Sequence, residues 1–109
     1  MKNKFVSLWI SVVCVLFFII QVISPIFTNA LILNSDAWHQ PWRFVTAMFL
    51  HGDVAHILYN LFALVLFGTI LESLIGSKRF TLVFFVTGIV ANVIAVNFYT
   101  SSLGASGAI

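Results

Sequence analysis

The sequence predicts an all-α integral membrane protein, a bundle of three transmembrane helices followed by the start of a fourth. The first observation is composition. Of 109 residues, 61% are hydrophobic and only 7% are charged, and the mean hydropathy is +1.13. A soluble domain of this size has too little interior to bury so much apolar surface. The second observation is that the apolar residues form three runs, each long enough to cross a bilayer.

The first run covers residues 5–23. About 19 residues that rise 1.5 Å each give roughly 28 Å, which spans the hydrocarbon core of a membrane. A signal peptide is the alternative, but its apolar core has about 7–15 residues, and residues 27–30 make a poor cleavage site. We therefore predict a first transmembrane helix that ends near Ser24 and Pro25.

Residues 26–50 mix polar side chains with tryptophan and phenylalanine, a composition typical of the headgroup region. We predict an interfacial loop with short helical pieces, whose length favours a functional role. A second transmembrane helix is predicted over residues 54–75, closed by Gly76 as a C-cap, and a third over residues 80–98. A fourth helix is predicted to start near residue 106.

The basic residues predict the orientation of the chain. If the three helices alternate, all basic residues except Arg43 fall on one side of the membrane. The residues on that side are Lys2, Lys4, Lys78 and Arg79. The positive-inside rule then predicts a multi-pass protein of the cell membrane with a cytoplasmic amino terminus and an external 26–50 loop. The net charge of +2 is too small and too dispersed for nucleic-acid binding.

A polar stretch, residues 51–60, stands at the head of the second predicted helix. It holds His51, His56 and Asn60, and such groups are expensive to carry into hydrocarbon unless they have a function or a partner. His56 and Asn60 are four residues apart, so they project from one helix face and can donate hydrogen bonds to a single point. Packing hydrogen bonds between helices are the alternative. Metal transport is a distant third reading, since His51, Asp53 and His56 lack further tetrahedral ligands.

The second polar stretch is Gly104-Ala105-Ser106-Gly107, which the predicted topology places at a depth similar to that of residues 51–60. A serine hydroxyl becomes a nucleophile when a base takes its proton and donors stabilise the resulting oxyanion. The two glycines permit a tight turn and close substrate approach. If Ser106 opens a helix, its backbone N–H is unpaired. Alone, Gly-x-Ser-Gly is more often structural, but at a depth matched to His56 and Asn60 it predicts a site.

Taken in order and spacing, these motifs resemble the rhomboid intramembrane serine proteases. The motifs that carry the resemblance are Trp42-Arg43, residues 51–60, Gly68-x-x-x-Glu72-x-x-x-Gly76 and Gly104-Ala105-Ser106-Gly107. The resemblance implies a six-helix core in the lipid bilayer that cleaves other membrane proteins within or near their transmembrane segments, without cofactor or metal. By motif position Ser106 would be the nucleophile. His56, Asn60 and the Ser106 N–H would form the oxyanion hole, and His51 would support it.

The resemblance implies structural roles for the remaining motif residues. Trp42 and Arg43 would anchor the external loop in the membrane, much as an interfacial aromatic beside a snorkelling arginine would. Glu72 lies on one helical row with Gly68 and Gly76 and is 16 residues, or roughly 24 Å, from His56. We therefore predict a buried structural acid.

The resemblance also implies a general-base histidine on a later helix, which none of the three histidines of this chain matches; they are His39, His51 and His56. The chain is therefore expected to be an amino-terminal fragment that is inactive alone. The alternative is a non-catalytic rhomboid-like pseudoprotease that binds transmembrane clients without cutting them.

Overall fold

The computed structural model describes residues 5–97 and the backbone of residues 101 and 102. In chain order the helices are α1 (Val6–Ile23), α2 (Pro25–Leu31), α3 (Trp42–Thr46), α4 (Val54–Ala63), α5 (Thr69–Ile75) and α6 (Ser77–Val96). A π-helical segment, Leu64–Gly68, joins α4 to α5, so that residues Val54–Ile75 form one long helix. Among the described residues, three helices are long and apolar enough to cross a membrane: α1, this second long helix and α6. This confirms the predicted class, an all-α membrane protein. The predicted start of a fourth helix lies outside the described residues.

Gly76 separates the second long helix from α6 by a single residue. Its φ of 90° is accessible to glycine without strain, and its N–H donates to the Glu72 carbonyl at 2.8 Å. The Phe80 N–H already donates to the Gly76 carbonyl, so α6 begins at Ser77, three residues before the predicted start at residue 80. The one-residue turn makes the two helices adjacent and opposite in direction.

Glu72 holds the beginning of α1 against the end of α5. Its carboxyl oxygens accept the backbone N–H of Val6 at 2.7 Å and that of Ser7 at 3.0 Å. They also accept the hydroxyls of Ser7 at 3.0 Å and Ser77 at 2.5 Å. The first N–H groups of a helix have no partner within it, so a carboxyl group is a suitable cap for α1. We call this side of the bundle the Glu72 end.

The opposite side of the bundle, which we call the His51 end, is held by two amide side chains. Gln21, near the end of α1, bonds to the backbone of His51, just before α4. Asn92, near the end of α6, donates to the Phe44 carbonyl in α3 at 2.7 Å. The end of α1, the beginning of α4 and the end of α6 therefore lie on one side of the bundle.

Close packing joins α1 to the middle of the second long helix. The buried residues of this core are Ile10, Cys14, Met48, Leu64, Phe80 and Phe84. A Cβ atom added at Gly68 would lie 3.1 Å from the Ser7 Cβ, which is tighter than most real contacts, so a larger residue would push α1 away by a few tenths of an ångström.

The segment between α1 and α4 folds as short pieces over the His51 end. Besides α2 and α3 it contains strand β1 (Leu33–Asn34) and 3₁₀ turns at Ser35–Trp38 and Ala47–Phe49. β1 pairs antiparallel with β2 (Ser101–Ser102), with Leu33 opposite Ser102. This pairing ties the chain that follows α6 to the same side of the bundle.

Arg43 points into this segment and is only 7% exposed, so the snorkelling arrangement is wrong for it. Its Nη1 donates to the Asn29 carbonyl at 2.9 Å and to the Ile32 carbonyl at 2.7 Å, and its Nε donates to Gln40 Oε1 at 2.6 Å. The last carbonyls of a helix lack intrahelical donors, and the guanidinium supplies them at the end of α2. Trp42 donates its indole N–H to the Ala30 carbonyl at 3.1 Å.

Candidate functional site

The polar residues of the 51–60 stretch meet at the His51 end, around the first turns of α4. Asp53 is the N-cap of α4, and its carboxylate accepts the His56 N–H at 2.8 Å. This cap fixes where the helix begins. It therefore fixes the face from which His56 and Asn60, one turn apart, project.

His56 has a hydrogen bond that selects one form of its ring. Nδ1 accepts the backbone N–H of Gly52 across a long 3.4 Å. A neutral imidazole carries its proton on one nitrogen, so an acceptor at Nδ1 places the proton on Nε2. Within residues 5–97 no partner occupies Nε2, and the ring is partly exposed. His56 thus presents an N–H donor at the surface of the bundle.

Asn60 is buried, with 6% of its surface exposed. Its amide nitrogen donates to the His56 carbonyl at 2.9 Å, four residues earlier in the same helix. This bond holds the amide against the turn that carries His56. It uses one of the two amide N–H groups and leaves the other for a second acceptor.

His51 is almost fully buried, at 1% exposure, directly beside His56. The ring centroids are 5.2 Å apart in an edge-to-face arrangement. Among the described residues neither ring nitrogen of His51 has a hydrogen-bond partner. Burial, together with the smaller effect of the neighbouring His56, lowers the pKa of His51 to about 4; the Phe49 carbonyl, which is not in hydrogen-bonding geometry, opposes the shift. His51 is therefore a neutral ring that packs against His56.

Gln21 belongs to this cluster, although the sequence analysis did not select it. Its Oε1 accepts the His51 N–H and its Nε2 donates to the His51 carbonyl, each at 2.9 Å. The sequence did contain a signal for it: Gln21 carries an amide within the apolar run of residues 5–23. A polar side chain inside a membrane helix needs a hydrogen-bond partner, as a buried polar group does in a soluble protein.

The other predicted site residues lie elsewhere in the bundle or outside the residues that the structure describes. Glu72 and Gly76 lie at the Glu72 end, and Gly68 lies in the middle of the second long helix. Trp42 and Arg43 lie in the segment over the His51 end and bond to the end of α2. The residues outside the described part of the chain are Gly104, Ser106 and Gly107. Within the described ranges, no three His, Cys, Asp or Glu side chains gather as metal ligands would.

The fold is that of a helical membrane protein, with His51, His56 and Asn60 clustered at one end of its bundle. A sequence model described as the rhomboid domain matches residues 38–109, which is most of the chain. The chain belongs to the rhomboid family. The matched region contains His51, His56 and Asn60 and begins after α1.

Individual relatives agree with this assignment. The chain is 34% identical over 73 residues to "RHOMBOID-like protein 6, mitochondrial" of Arabidopsis thaliana, covering 65% of this chain and 24% of that protein. It is 39% identical over 82 residues to "Rhomboid protease GluP" of Bacillus subtilis, covering 74% and 15%. It is 33% identical over 60 residues to "Inactive RHOMBOID-like protein 8" of A. thaliana, covering 55% and 17%. The chain thus spans less than a quarter of each of these three relatives, which include a protease and a member named inactive.

Proposed function

We propose that this chain supplies the nucleophile and the oxyanion hole of an intramembrane serine endopeptidase that cleaves transmembrane substrates. Ser106 is the nucleophile of this proposal. His56 Nε2, the Asn60 amide and the Ser106 backbone N–H are the oxyanion donors. The general base is a histidine from a later helix of the rhomboid fold, and the reaction uses no cofactor or metal.

The observation that supports the proposal best is the hydrogen bond from the Gly52 N–H to His56 Nδ1. An oxyanion donor must carry a proton at the atom that faces the substrate, and a neutral imidazole does so on one nitrogen only. The Gly52 N–H occupies Nδ1 and so assigns the proton to Nε2. Each preorganised donor of this kind contributes about 10²–10³ in rate, because it stabilises charge that develops in the transition state.

The proposal assigns supporting roles to the other motif residues. His51 packs against the His56 ring, and Gly104 and Gly107 allow the turn around Ser106. Structural roles fall to five residues, of which Arg43 and Glu72 have the most hydrogen bonds; the five are Trp42, Arg43, Gly68, Glu72 and Gly76. The orientation belongs to the proposal too, with the amino terminus cytoplasmic and the His51 end external.

A second candidate function is a pseudoprotease that binds transmembrane clients without cutting them. The observation that favours it is the similarity to a relative whose name calls it inactive. A client-binding protein needs the helical bundle but neither a free Nε2–H on His56 nor a reactive Ser106. The two candidates therefore differ in what substitution of Ser106 does.

The test measures cleavage of a model transmembrane substrate in proteoliposomes. The chain is co-expressed with a carboxyl-terminal segment of a rhomboid protease that carries the matching histidine. Ser106→Ala should abolish cleavage, because the nucleophile is lost. His56→Ala and Asn60→Ala should each lower kcat by about 10²–10³, the loss expected for one oxyanion donor. Tyr59→Phe, at an exposed position between the two on the same helix, is the matched control and should cleave at the parent rate.

A fluorophosphonate that reacts with activated serines gives a second measurement. It should label the complemented protein at Ser106 and fail to label Ser106→Ala. Cleavage that survives Ser106→Ala rejects the proposed mechanism. Substrate binding without cleavage or labelling, in a complemented protein that is folded, favours the pseudoprotease.

A further inference from the structure

The side-chain amide of Gln21 makes two hydrogen bonds to the backbone of His51. Gln21 lies in the last turn of α1, and His51 lies just before α4, so the contact joins residues 30 positions apart. The side chain accepts from the His51 N–H and donates to the His51 carbonyl, both at 2.9 Å. Such a reciprocal pair fixes the orientation of the amide and of the backbone together.

The second of these bonds acts on the peptide unit that joins His51 to Gly52. A peptide unit is planar and trans, so its C=O and N–H point in opposite directions. Gln21 holds the C=O of this unit, and His56 Nδ1 accepts from the N–H of the same unit at 3.4 Å. Orienting the carbonyl toward Gln21 therefore aims the N–H at His56.

Hydrogen bonds in such a chain also strengthen one another. A carbonyl that accepts a hydrogen bond makes its own peptide N–H a better donor, and the effect is larger where water is scarce. The order of the chain is Gln21 Nε2–H, the His51–Gly52 peptide, and His56 Nδ1. The hydrogen bond from the Gly52 N–H to His56 Nδ1, at 3.4 Å, is the longest and weakest bond of this chain. It therefore depends most on the alignment that Gln21 provides.

We propose that Gln21 is a positioning residue of the site, which sets the tautomer of His56 through the His51–Gly52 peptide. The catalytic consequence rests on the proposed function, in which His56 Nε2–H stabilises the oxyanion. Both hydrogen bonds of the Gln21 side chain go to the His51 backbone, so Gln21 acts on His56 only through that backbone. First-helix residues lie before the matched rhomboid domain of 38–109, so this role extends the site beyond it.

The direct test uses no substrate. Nitrogen NMR of the ¹⁵N-histidine-labelled chain in micelles at alkaline pH distinguishes a protonated from an unprotonated ring nitrogen. The parent chain should have an unprotonated Nδ1 and a protonated Nε2 on His56. Gln21→Met keeps the length of the side chain and removes both hydrogen bonds, so the two His56 signals should shift toward the average of the two tautomers. Ile20→Leu, at the neighbouring exposed position, is the matched control and should keep the parent signals.

The second arm measures turnover of the complemented protein. Gln21→Met should lower kcat about 10-fold with KM within about 2-fold, less than the loss of a whole donor, because His56 remains but is misaligned. If the complemented parent does not cleave, the proposed function fails, and the NMR arm still decides the role of Gln21.

Two results would overturn the inference. One is a protonated Nδ1 on His56 in the parent chain, which needs no variant and so does not depend on whether Gln21→Met folds. The other is a folded Gln21→Met chain whose His56 signals coincide with those of the parent.

Discussion

His51 illustrates how a single buried residue couples this bundle to pH. Its ring is enclosed, and burial together with the nearby His56 lowers its pKa to about 4 from the ordinary 6.5. As the pH falls below 6.5, the unfolded chain takes up a proton at this residue while the folded chain does not. Because only the unfolded chain takes up this proton, the free energy of unfolding falls as the pH decreases. The fall ends near pH 4, where the folded chain also binds the proton.

We therefore predict that the free energy of unfolding of the chain decreases between about pH 6.5 and 4, by on the order of 1 kcal/mol per pH unit for this group. His51→Leu should remove that part of the slope, since leucine cannot titrate. The measurement is unfolding by SDS titration in micelles at a series of pH values. Parent and His51→Leu chains with equal slopes would contradict the prediction, and His39→Leu, which removes an exposed histidine, is the matched control.

At the residue scale the sequence was informative where spacing alone fixes geometry. His56 and Asn60 lie four residues apart in one helix, so their shared face followed from the helical repeat. The bonds of Gln21 to His51 and of Arg43 to the end of α2 join residues far apart in the chain. No local pattern encodes such contacts, and only the folded bundle brings them together. The roles assigned to Ser106, His56 and Asn60 stay predictions.

At the scale of elements, the interaction between α1 and the second long helix depends on one carboxyl group. Each Glu72 oxygen accepts one backbone N–H and one hydroxyl: Oε1 from Ser7, and Oε2 from Val6 and Ser77. All four partners donate. A hydroxyl can rotate and accept instead, but a backbone N–H cannot.

Glu72→Gln should therefore destabilise the bundle by about 1.5–3 kcal/mol, the contribution of one hydrogen bond to a charged group. The new amide NH₂ faces a backbone N–H of Val6 or Ser7 that then has no acceptor. Unfolding by SDS titration measures the change, with Ser73→Ala as the control, because Ser73 is the exposed neighbour whose hydroxyl bonds within its own helix. A loss below about 0.5 kcal/mol would mean that the carboxyl group does not hold α1.

Apolar length predicted the three long helices well, because hydropathy and the 1.5 Å rise per residue are local properties. Other features of the elements required the folded structure. Asn92 bonds to another helix, whereas Asn97 bonds to Val93 within its own. The π-helical segment Leu64–Gly68 has no signature in hydropathy, since its residues are as apolar as their neighbours.

At the scale of the whole molecule, the bundle has two chemically different ends. The Glu72 end carries Lys78 and Arg79, both exposed, in the first turn of α6. The His51 end carries the histidines and the segment with Trp38 and Trp42, about half exposed. Tryptophan suits a membrane interface on either side, so the basic residues alone distinguish the two sides.

The last prediction concerns this orientation, which we propose from the positive-inside rule. In a Cys14→Ala background, His39→Cys should react with a membrane-impermeant thiol reagent added to intact cells, because residue 39 is exposed at the His51 end. Lys78→Cys, exposed at the Glu72 end, should react only after the membrane is permeabilised. Cys14 is buried in the core, so the parent chain should give little signal in either case. Labelling of Lys78→Cys and not His39→Cys in intact cells would place the His51 end in the cytoplasm. That result would reverse the orientation and leave the bundle and its site geometry unchanged, since both follow from contacts within the chain.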